Sequence, residues 1–359
     1  MKIVFVLFFV FSFKLCYLQE INVERPIDLV ESKIDSFPDN FQISIALIKN
    51  DKVSYIGFQK INGKLKQISN HDSIFEIGSI TKVFTGTLLA NMVNKGKIKL
   101  NGKVHKQLGF KLFKNKKLRY IHLANHTAGL YRLPSNILDL ANNNPEKPYD
   151  QYTDSLFEYH LRNELQIKNK PGTIHEYSNL GSSIIGYAIS KMENKSYSEL
   201  YQEEIFKKYH LNDTKCHSNR VEMVRGINHD GEFVPNWDFG PMFPCGGITS
   251  NTKDLAKFLI AHFDSTNLDL KLACSPTFKI NGNFKIGLSW HIFNIPKLGK
   301  IIFHNGATGG YRSCTAFMPK FKTGVVVLSN ISAYSAYAAE IDGICTGILK
   351  IITKPLKNN

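Results

Sequence analysis

Segments with strand character stand at the two ends of this chain and are missing from its middle. Near the N-terminus, Phe41 to Ile48 alternates apolar and polar residues, Asn50-Asp51 forms a turn, and Val53 to Phe58 returns, the pattern of a β-hairpin. Near the C-terminus, Phe284 to Phe293, Lys300 to Phe303, Arg312 to Met318 and Val325 to Leu328 read as strands, and Ala333 to Ile352 as a closing helix. Between about Asn101 and Leu272 no strong strand run occurs. Tyr152 to Leu161, Gly181 to Lys191 and Asp254 to Phe263 look helical instead, the last with Ser250 as its N-cap. A short helix is expected around Ile27 to Ile34. A longer one is expected from Ile80 to Met92, where Ile80, Val83, Phe84, Leu88 and Met92 recur at helical spacing, with an end at Asn94 to Gly96. Strands at both termini with helices between them predict an α+β fold. It would hold an antiparallel β-sheet built from both chain ends, flanked by helices, beside an all-helical subdomain at about residues 101–272.

No linker, fixed-period repeat or low-complexity tract divides the chain, so residues 20–359 are read as one domain. Residues 1–19 differ. Met1-Lys2 precedes a largely apolar run from Ile3 to Phe13, which Lys14 breaks. That run is too short to span a bilayer and suits a signal-peptide core. The protein is therefore expected to be exported, periplasmic or secreted, with no stable membrane span once the leader is removed. Lys14 beside Cys16 argues against a lipoprotein. Lysine and arginine number 45 against 30 acidic residues, a net charge of +15. They are scattered, with one denser patch from Lys111 to Arg119, and no basic stripe is interleaved with aromatics. A nucleic-acid partner is not expected, whereas a preference for anionic surfaces or substrates is. Cys16, Cys216, Cys245, Cys274, Cys314 and Cys345 are widely spaced and contain no CxxC pair, which predicts neither a disulfide scaffold nor a zinc site.

Three short motifs carry chemistry. In Ser79-Ile80-Thr81-Lys82 the serine opens a helix and the lysine lies on the same face, one turn on. A serine hydroxyl is a poor nucleophile until a base takes its proton, and a lysine held out of water can be that base. The backbone N–H of Ser79, at a helix N-terminus, suits a developing oxyanion. The pattern is weak alone, because Ser250-Asn251-Thr252-Lys253 repeats it as an N-cap with a surface lysine. Tyr177-Ser178-Asn179 follows the loop signal Pro171-Gly172 and precedes a helix near Leu180. It offers a tyrosine as proton shuttle and an asparagine to orient a substrate amide. His304-Asn305-Gly306 ends a strand. A glycine there lets substrate approach the strand edge, and the N–H of Ala307 would be a second oxyanion donor.

In this order the motifs resemble those of the class C β-lactamase and DD-peptidase-like serine hydrolase family, the penicillin-recognising serine enzymes. The surrounding segments are similar too: FEIGSITKVFTGTLLANMV, LRYIHLANHTAGL, PGTIHEYSNLGSSIIGYAIS, PCGGITSNTKDLAKFL and FHNGATGGYRSCTAFMPKFKTGVVVLSN. The resemblance runs from about Asp28 to Leu349 and implies a β-lactamase/transpeptidase-like fold. It implies that Ser79 forms an acyl-enzyme and that Lys82 and Tyr177 share its proton transfers. Asn179 would hold the substrate side-chain amide, and His304, Gly306 and Ala307 would form the cleft wall and oxyanion site. No metal or cofactor is implied. Substrates would be β-lactam amides, D-amino-acid peptides or small esters, with cell-wall peptides among the partners. The alternative is a non-hydrolysing penicillin-binding or cell-wall-binding protein that acylates and turns over slowly.

One position departs from the pattern. Dedicated class C β-lactamases typically carry lysine where His304 stands, and a histidine is mostly neutral near pH 7. Efficient β-lactam hydrolysis is therefore less expected, unless Arg312 restores the charge. Lys322-Thr323-Gly324 spells the lysine form outright but reads as the turn before the last strand. His122 and His126 have the spacing of a zinc pair without the glutamate of a zinc protease. Cys245 falls in a segment that the resemblance puts near the cleft, and is read as a buried free thiol.

Overall fold

The pleat of a strand sends successive side chains to opposite faces, so a strand apolar throughout must be covered on both sides. Strands β1 (Gln42–Lys49), β2 (Lys52–Ile61) and β3 (Lys64–Gln67) come from the N-terminal end. A short ladder pairs β4 (Phe75–Glu76) with β5 (Thr249–Ser250). The C-terminal end supplies β6 (Phe278–Asn281), β7 (Phe284–Ile286), β8 (His291–Ile295), β9 (Gly299–Ala307), β10 (Arg312–Met318) and β11 (Thr323–Ser329). In the computed structural model, which describes residues 21–216, 223–296 and 298–353, these form a nine-stranded antiparallel sheet in the order β3-β2-β1-β11-β10-β9-β8-β7-β6. The two ends of the chain meet where β1 pairs with β11, Ile45 opposite Val327. The expected leader, residues 1–19, lies outside the described residues.

Alternation along these strands divides the core. Ile43, Ile45 and Leu47 of β1 join Val325 and Val327 of β11 against helices α1 (Glu24–Ile34) and, from the C-terminus, the closing helix Ala338–Thr353. Ala46, Ile48, Val326 and Leu328 face the other way. There they join the larger core, which continues through α2 (Thr81–Asn94), α3 (Tyr120–Ala124), α4 (Asn179–Glu193) and α5 (Thr252–Ala261). The closing helix is α6. The middle of the chain is helical as expected, apart from β5. No helix among the described residues is long and apolar enough to cross a membrane.

Three local expectations are corrected. Phe284 to Phe293 is two strands, because the segment between them spends its N–H groups elsewhere: Leu288 donates to the Ala273 carbonyl and Ser289 to the Ala124 carbonyl, each at 2.8 Å. Ser289 also takes a left-handed φ of 70°. The N-cap of α5 is Asn251, whose side chain accepts from Asp254 N, and Ser250 lies one residue too early, in β5. The closing helix begins at Ala338, later than Ala333. The edge strand β3 escapes a hydrophobic pattern because Lys64-Leu65-Lys66-Gln67 has one apolar residue, and β6 because its alternation, Phe278-Lys279-Ile280-Asn281, is only four residues long.

Candidate active site

Ser79 sits in a tight 3-10 turn, Gly78–Ile80, that runs directly into α2. Helix α2 is buried on nearly every side, which leaves Lys82 fully inside the protein. A buried ammonium must find acceptors or carry a large cost. Among the described residues Lys82 Nζ has two: Ser79 Oγ at 3.0 Å and the backbone carbonyl of Cys245 at 2.6 Å. It makes no ion pair with a carboxylate there. Nζ also lies 4.8 Å from the centre of the Tyr177 ring. The first two expected catalytic residues thus meet, and Tyr177 joins them.

The Cys245 carbonyl has a dedicated support. The turn Gly240–Cys245 wedges between α2 and α4. Thr85 Oγ1 of α2 donates to the Pro244 carbonyl at 2.6 Å, and Ser183 Oγ of α4 to the Met242 carbonyl at 3.3 Å. Gly186 makes the approach of α4 feasible, since a Cβ there would lie 2.2 Å from Pro244 Cγ. Cys245 therefore meets Lys82 through its carbonyl. Its thiol is buried, and burial pushes its pKa up.

Ser178, between the two polar residues of the second motif, N-caps α4 by accepting from Gly181 N at 3.1 Å, and donates to the Tyr131 carbonyl at 2.8 Å. Asn179 is the first residue of α4. Its amide Nδ2 donates to Tyr149 Oη at 3.2 Å, while Oδ1 is buried without a partner among the described residues. The backbone N–H of Ser178 donates to His126 Nδ1 at 3.3 Å, and the His126 ring lies 4.6 Å from that of Tyr177.

The third motif lies against the first. A Cβ on Gly306 would fall 2.0 Å from the Ile77 carbonyl oxygen and 2.9 Å from Ser79 N. Gly78, at φ 50°, would with a Cβ meet Ala307 N at 2.5 Å. Both glycines are needed so that the Ser79 turn and strand β9 touch backbone to backbone. The glycine of the motif serves this contact, where room for substrate had been expected. The contact brings the Ser79 and Ala307 segments side by side, and both residues are partly exposed.

His304 is buried. Its Nδ1 donates to the Asn305 carbonyl at 2.6 Å, and its ring stacks on His291 at 5.1 Å and faces Tyr177 at 6.3 Å. His175 lies beyond, near His126 and His291. Burial above all, then neighbouring positive groups including Lys82, holds His126 and His304 well below the ordinary 6.5 and His291 at about 4. The histidines beside Tyr177 are therefore neutral. Since His126 Nδ1 accepts and His304 Nδ1 donates, Nε2 carries the hydrogen in His126 and a lone pair in His304. Neither Nε2 has a partner among the described residues.

Arg312 does not supply the missing charge. Cross-strand pairing puts it opposite Ala307, on the face of the sheet away from His304. It is ion-paired there with Asp342 of α6, which also accepts from Asn305 Nδ2 at 2.8 Å. Lys322 sits at the far end of β10, roughly 20 Å along that strand from Arg312, exposed at the turn into β11. His122 and His126 do not share a helix face, because α3 ends at Ala124 and His126 has φ 59°. Among the described residues no group of three or more histidine, cysteine and acidic side chains is arranged to hold a metal. The motifs did not point to the Cys245 carbonyl, His126, His291 or Tyr149; His126 and Cys245 lay in the quoted segments HTAG and PCGG, whereas His291 and Tyr149 lay in none of them.

A family model described as β-lactamase matches residues 30–342. The chain belongs to the β-lactamase family. It is 22% identical to a β-lactamase of Pseudomonas fluorescens, over 86% of this chain and 94% of that one. It is 26% identical to β-lactamase-like protein 4 of Dictyostelium discoideum over 88% of this chain, and 25% identical to protein flp of Staphylococcus aureus over 81%. It spans 61% and 59% of the lengths of those two relatives. Among solved structures, a β-lactamase/D-alanine carboxypeptidase of Pseudomonas syringae superposes with a TM-score of 0.74 at 20% identity, covering 90% of this chain and 97% of that one. A variant of a class C β-lactamase superposes with 0.75 at 19%, covering 92% and 99%. The fold is thus the β-lactamase/transpeptidase-like one.

Proposed function

We propose that this family member is a serine acyl hydrolase that forms an acyl-enzyme on Ser79 and releases it to water. The observation that carries the reading is the buried Lys82, hydrogen-bonded to Ser79 Oγ and to the Cys245 carbonyl with no carboxylate paired to it among the described residues. In its neutral form Lys82 takes the Ser79 hydroxyl proton as Oγ bonds to the substrate carbonyl carbon. The Ser79 and Ala307 N–H groups receive the oxyanion. Tyr177, against Lys82, passes a proton to the leaving group as its bond to carbon breaks. Lys82 passes the proton it took to Tyr177, restoring both groups. Water then attacks the ester carbonyl. The same pair takes its proton and delivers it to Ser79 Oγ as the acyl–Oγ bond breaks, and the free acid leaves. Asn179, whose Oδ1 has no partner among the described residues, holds the substrate side-chain amide.

Substrates in this reading are β-lactam amides, D-amino-acid peptides, including those of cell walls, or small esters, met after export. Neutral His304 removes a fixed charge from the cleft wall, which favours a general acyl hydrolase over a dedicated β-lactamase. The test compares wild type with Ser79→Ala on a chromogenic cephalosporin, a short-chain nitrophenyl ester and a D-Ala-D-Ala peptide. Turnover should vanish in the variant, and its survival would overturn the mechanism. A fluorescent penicillin followed over time separates a hydrolase, which sheds the label, from a slow penicillin-binding protein, which keeps it.

A further inference from the structure

A second cation among the described residues stands against Tyr177, and the three motifs do not contain it. Arg132 is exposed, and its guanidinium carbon lies 5.3 Å from the centre of the Tyr177 ring, the same ring that Lys82 approaches to 4.8 Å. Its place is fixed by the catalytic segment itself. Ser178 Oγ donates to the Tyr131 carbonyl at 2.8 Å and Leu180 N to the Arg132 carbonyl at 3.1 Å, so residues 131 and 132 are laced to the segment holding Tyr177 and Asn179. The Arg132 charge acts on Tyr149, the partner of Asn179, and on Cys245, whose carbonyl holds Lys82.

The surrounding charges leave this guanidinium uncommitted. Among the described residues it makes no ion pair. Glu176, next to Tyr177, is taken by Lys168 at 3.0 Å and Asn169 at 3.0 Å. The histidines around Tyr177 are neutral, Lys82 is committed inside the protein, and Arg312 is tied to Asp342. A guanidinium keeps its charge at any physiological pH and offers a planar fork of donors that matches a carboxylate.

We propose that Arg132 is the anion anchor of the cleft, taking a carboxylate on the substrate whose carbonyl is presented to Ser79. It would do from the Tyr177 side what the third-motif lysine does from the strand in dedicated class C β-lactamases. This rests on the hydrolase reading above and narrows its substrates to anionic acyl compounds.

The test uses the full chain and two esters of phenylacetic acid, one with 3-hydroxybenzoate as leaving group and one with 3-hydroxybenzamide. The pair differs in a single charge at nearly constant shape. Wild type should prefer the carboxylate, and rising salt should erode the preference. Arg132→Gln should lower the ratio of the two kcat/KM values about tenfold, through KM for the anionic ester, and Arg132→Lys should restore most of it. Both esters are read on one preparation, so loss of folded protein cancels in the ratio. An unchanged ratio in Arg132→Gln, or an equal fall for both esters, overturns the assignment while the hydrolase reading stands. Turnover that survives in Ser79→Ala, or a wild type inactive on both esters, overturns the parent reading and this one with it.

Discussion

Replacing Gly306 by alanine puts a methyl group where the protein has three atoms already. An ideal Cβ would stand 2.0 Å from the Ile77 carbonyl oxygen, 2.5 Å from Ser313 Oγ and 2.9 Å from Ser79 N. Ser313 Oγ can rotate away, but it then abandons its 2.8 Å hydrogen bond to the Ile77 carbonyl. The other two atoms are backbone and can be relieved only if the Ser79 turn and β9 separate by about 1.5 Å, since ordinary van der Waals contact begins near 3.5 Å. Overpacking of this kind costs roughly 1–3 kcal/mol of stability. Displacing one of two oxyanion donors, or misplacing a nucleophile by about 1 Å, costs on the order of a hundredfold in rate. Gly306→Ala should therefore lose about two orders of magnitude in kcat on an ester substrate, with a 1–3 kcal/mol loss in urea-unfolding free energy. Covalent labelling of Ser79 by a penicillin should slow in step, because the defect lies in acylation. Unchanged kcat with raised KM would restore the view that the glycine makes room for substrate. Unchanged kcat and stability together would refute the packing argument.

Lys82→Met should cut turnover by about 10²–10⁴, the usual contribution of a positioned base. Stability should hold or rise in urea titrations, since an apolar side chain replaces a buried charge; a collapse in stability would show that Lys82 is chiefly a structural pillar. Lys322→Ala should leave turnover unchanged while His304→Ala lowers it, and the reverse result would exchange the two candidate third motifs. Burial above all holds His262 and His291 at about 4 and His126 and His304 well below 6.5. Below pH 6.5 the unfolded chain binds protons that the folded chain refuses, so stability fully present above 6.5 is lost as pH falls toward 4. The loss should be on the order of 1 kcal/mol per pH unit per histidine. Urea midpoints between pH 7 and 5 should show that slope, shallower in His262→Phe; a flat profile would mean these histidines are not buried as described. Asn251→Ala should cost roughly 1–2 kcal/mol by uncapping α5, with turnover retained, whereas Ser250→Ala leaves that cap in place.

Much of the fold was legible because the strands of the sheet interior are rich in β-branched residues. Val325 to Leu328 and Ile43 to Ile48 announce themselves, and β1 pairing with β11 joins the two ends as the pattern required. The edges were not legible. Lys64-Leu65-Lys66-Gln67 has one apolar residue to bury, and only a neighbouring strand makes it a strand. The break in Phe284 to Phe293 was hidden for another reason. It is imposed by carbonyls of Ala124 and Ala273, which no local window contains. The site divides in the same way. Ser79, Lys82, Tyr177, Asn179 and His304 could be named from spacing and resemblance. The acceptor that holds Lys82 is a main-chain carbonyl, which carries no side-chain signature. Arg132 sits in an ordinary loop, distinguished by its carbonyl accepting from Leu180 N, by the Ser178 Oγ bond to its neighbour Tyr131, and by its contact with the Tyr177 ring.

The repeated pattern at Ser250 shows why four residues settle so little. Ser250 lies in β5, with its hydroxyl 2.8 Å from Thr214 Oγ1, and Lys253 is on the exposed side of α5, ion-paired with Asp72 at 2.8 Å. Helix α5 buries Asp254, Leu255, Ala256, Phe258 and Leu259 and leaves the lysine to water. Helix α2 is covered almost all round, so Lys82 has no route to solvent and must satisfy its protons inside. Its acceptors are the serine one turn earlier and a carbonyl 163 residues further along the chain. The same spacing gives a surface ion pair in one helix and a buried lysine hydrogen-bonded to a serine in the other. The difference is made by the Gly240–Cys245 turn, which brings the Cys245 carbonyl to Lys82. A variant that withdraws this turn, such as Gly186→Val against Pro244, should thus lower acylation with Ser79, Lys82 and Tyr177 all intact. Wild-type labelling kinetics in that variant would show that the carbonyl is dispensable.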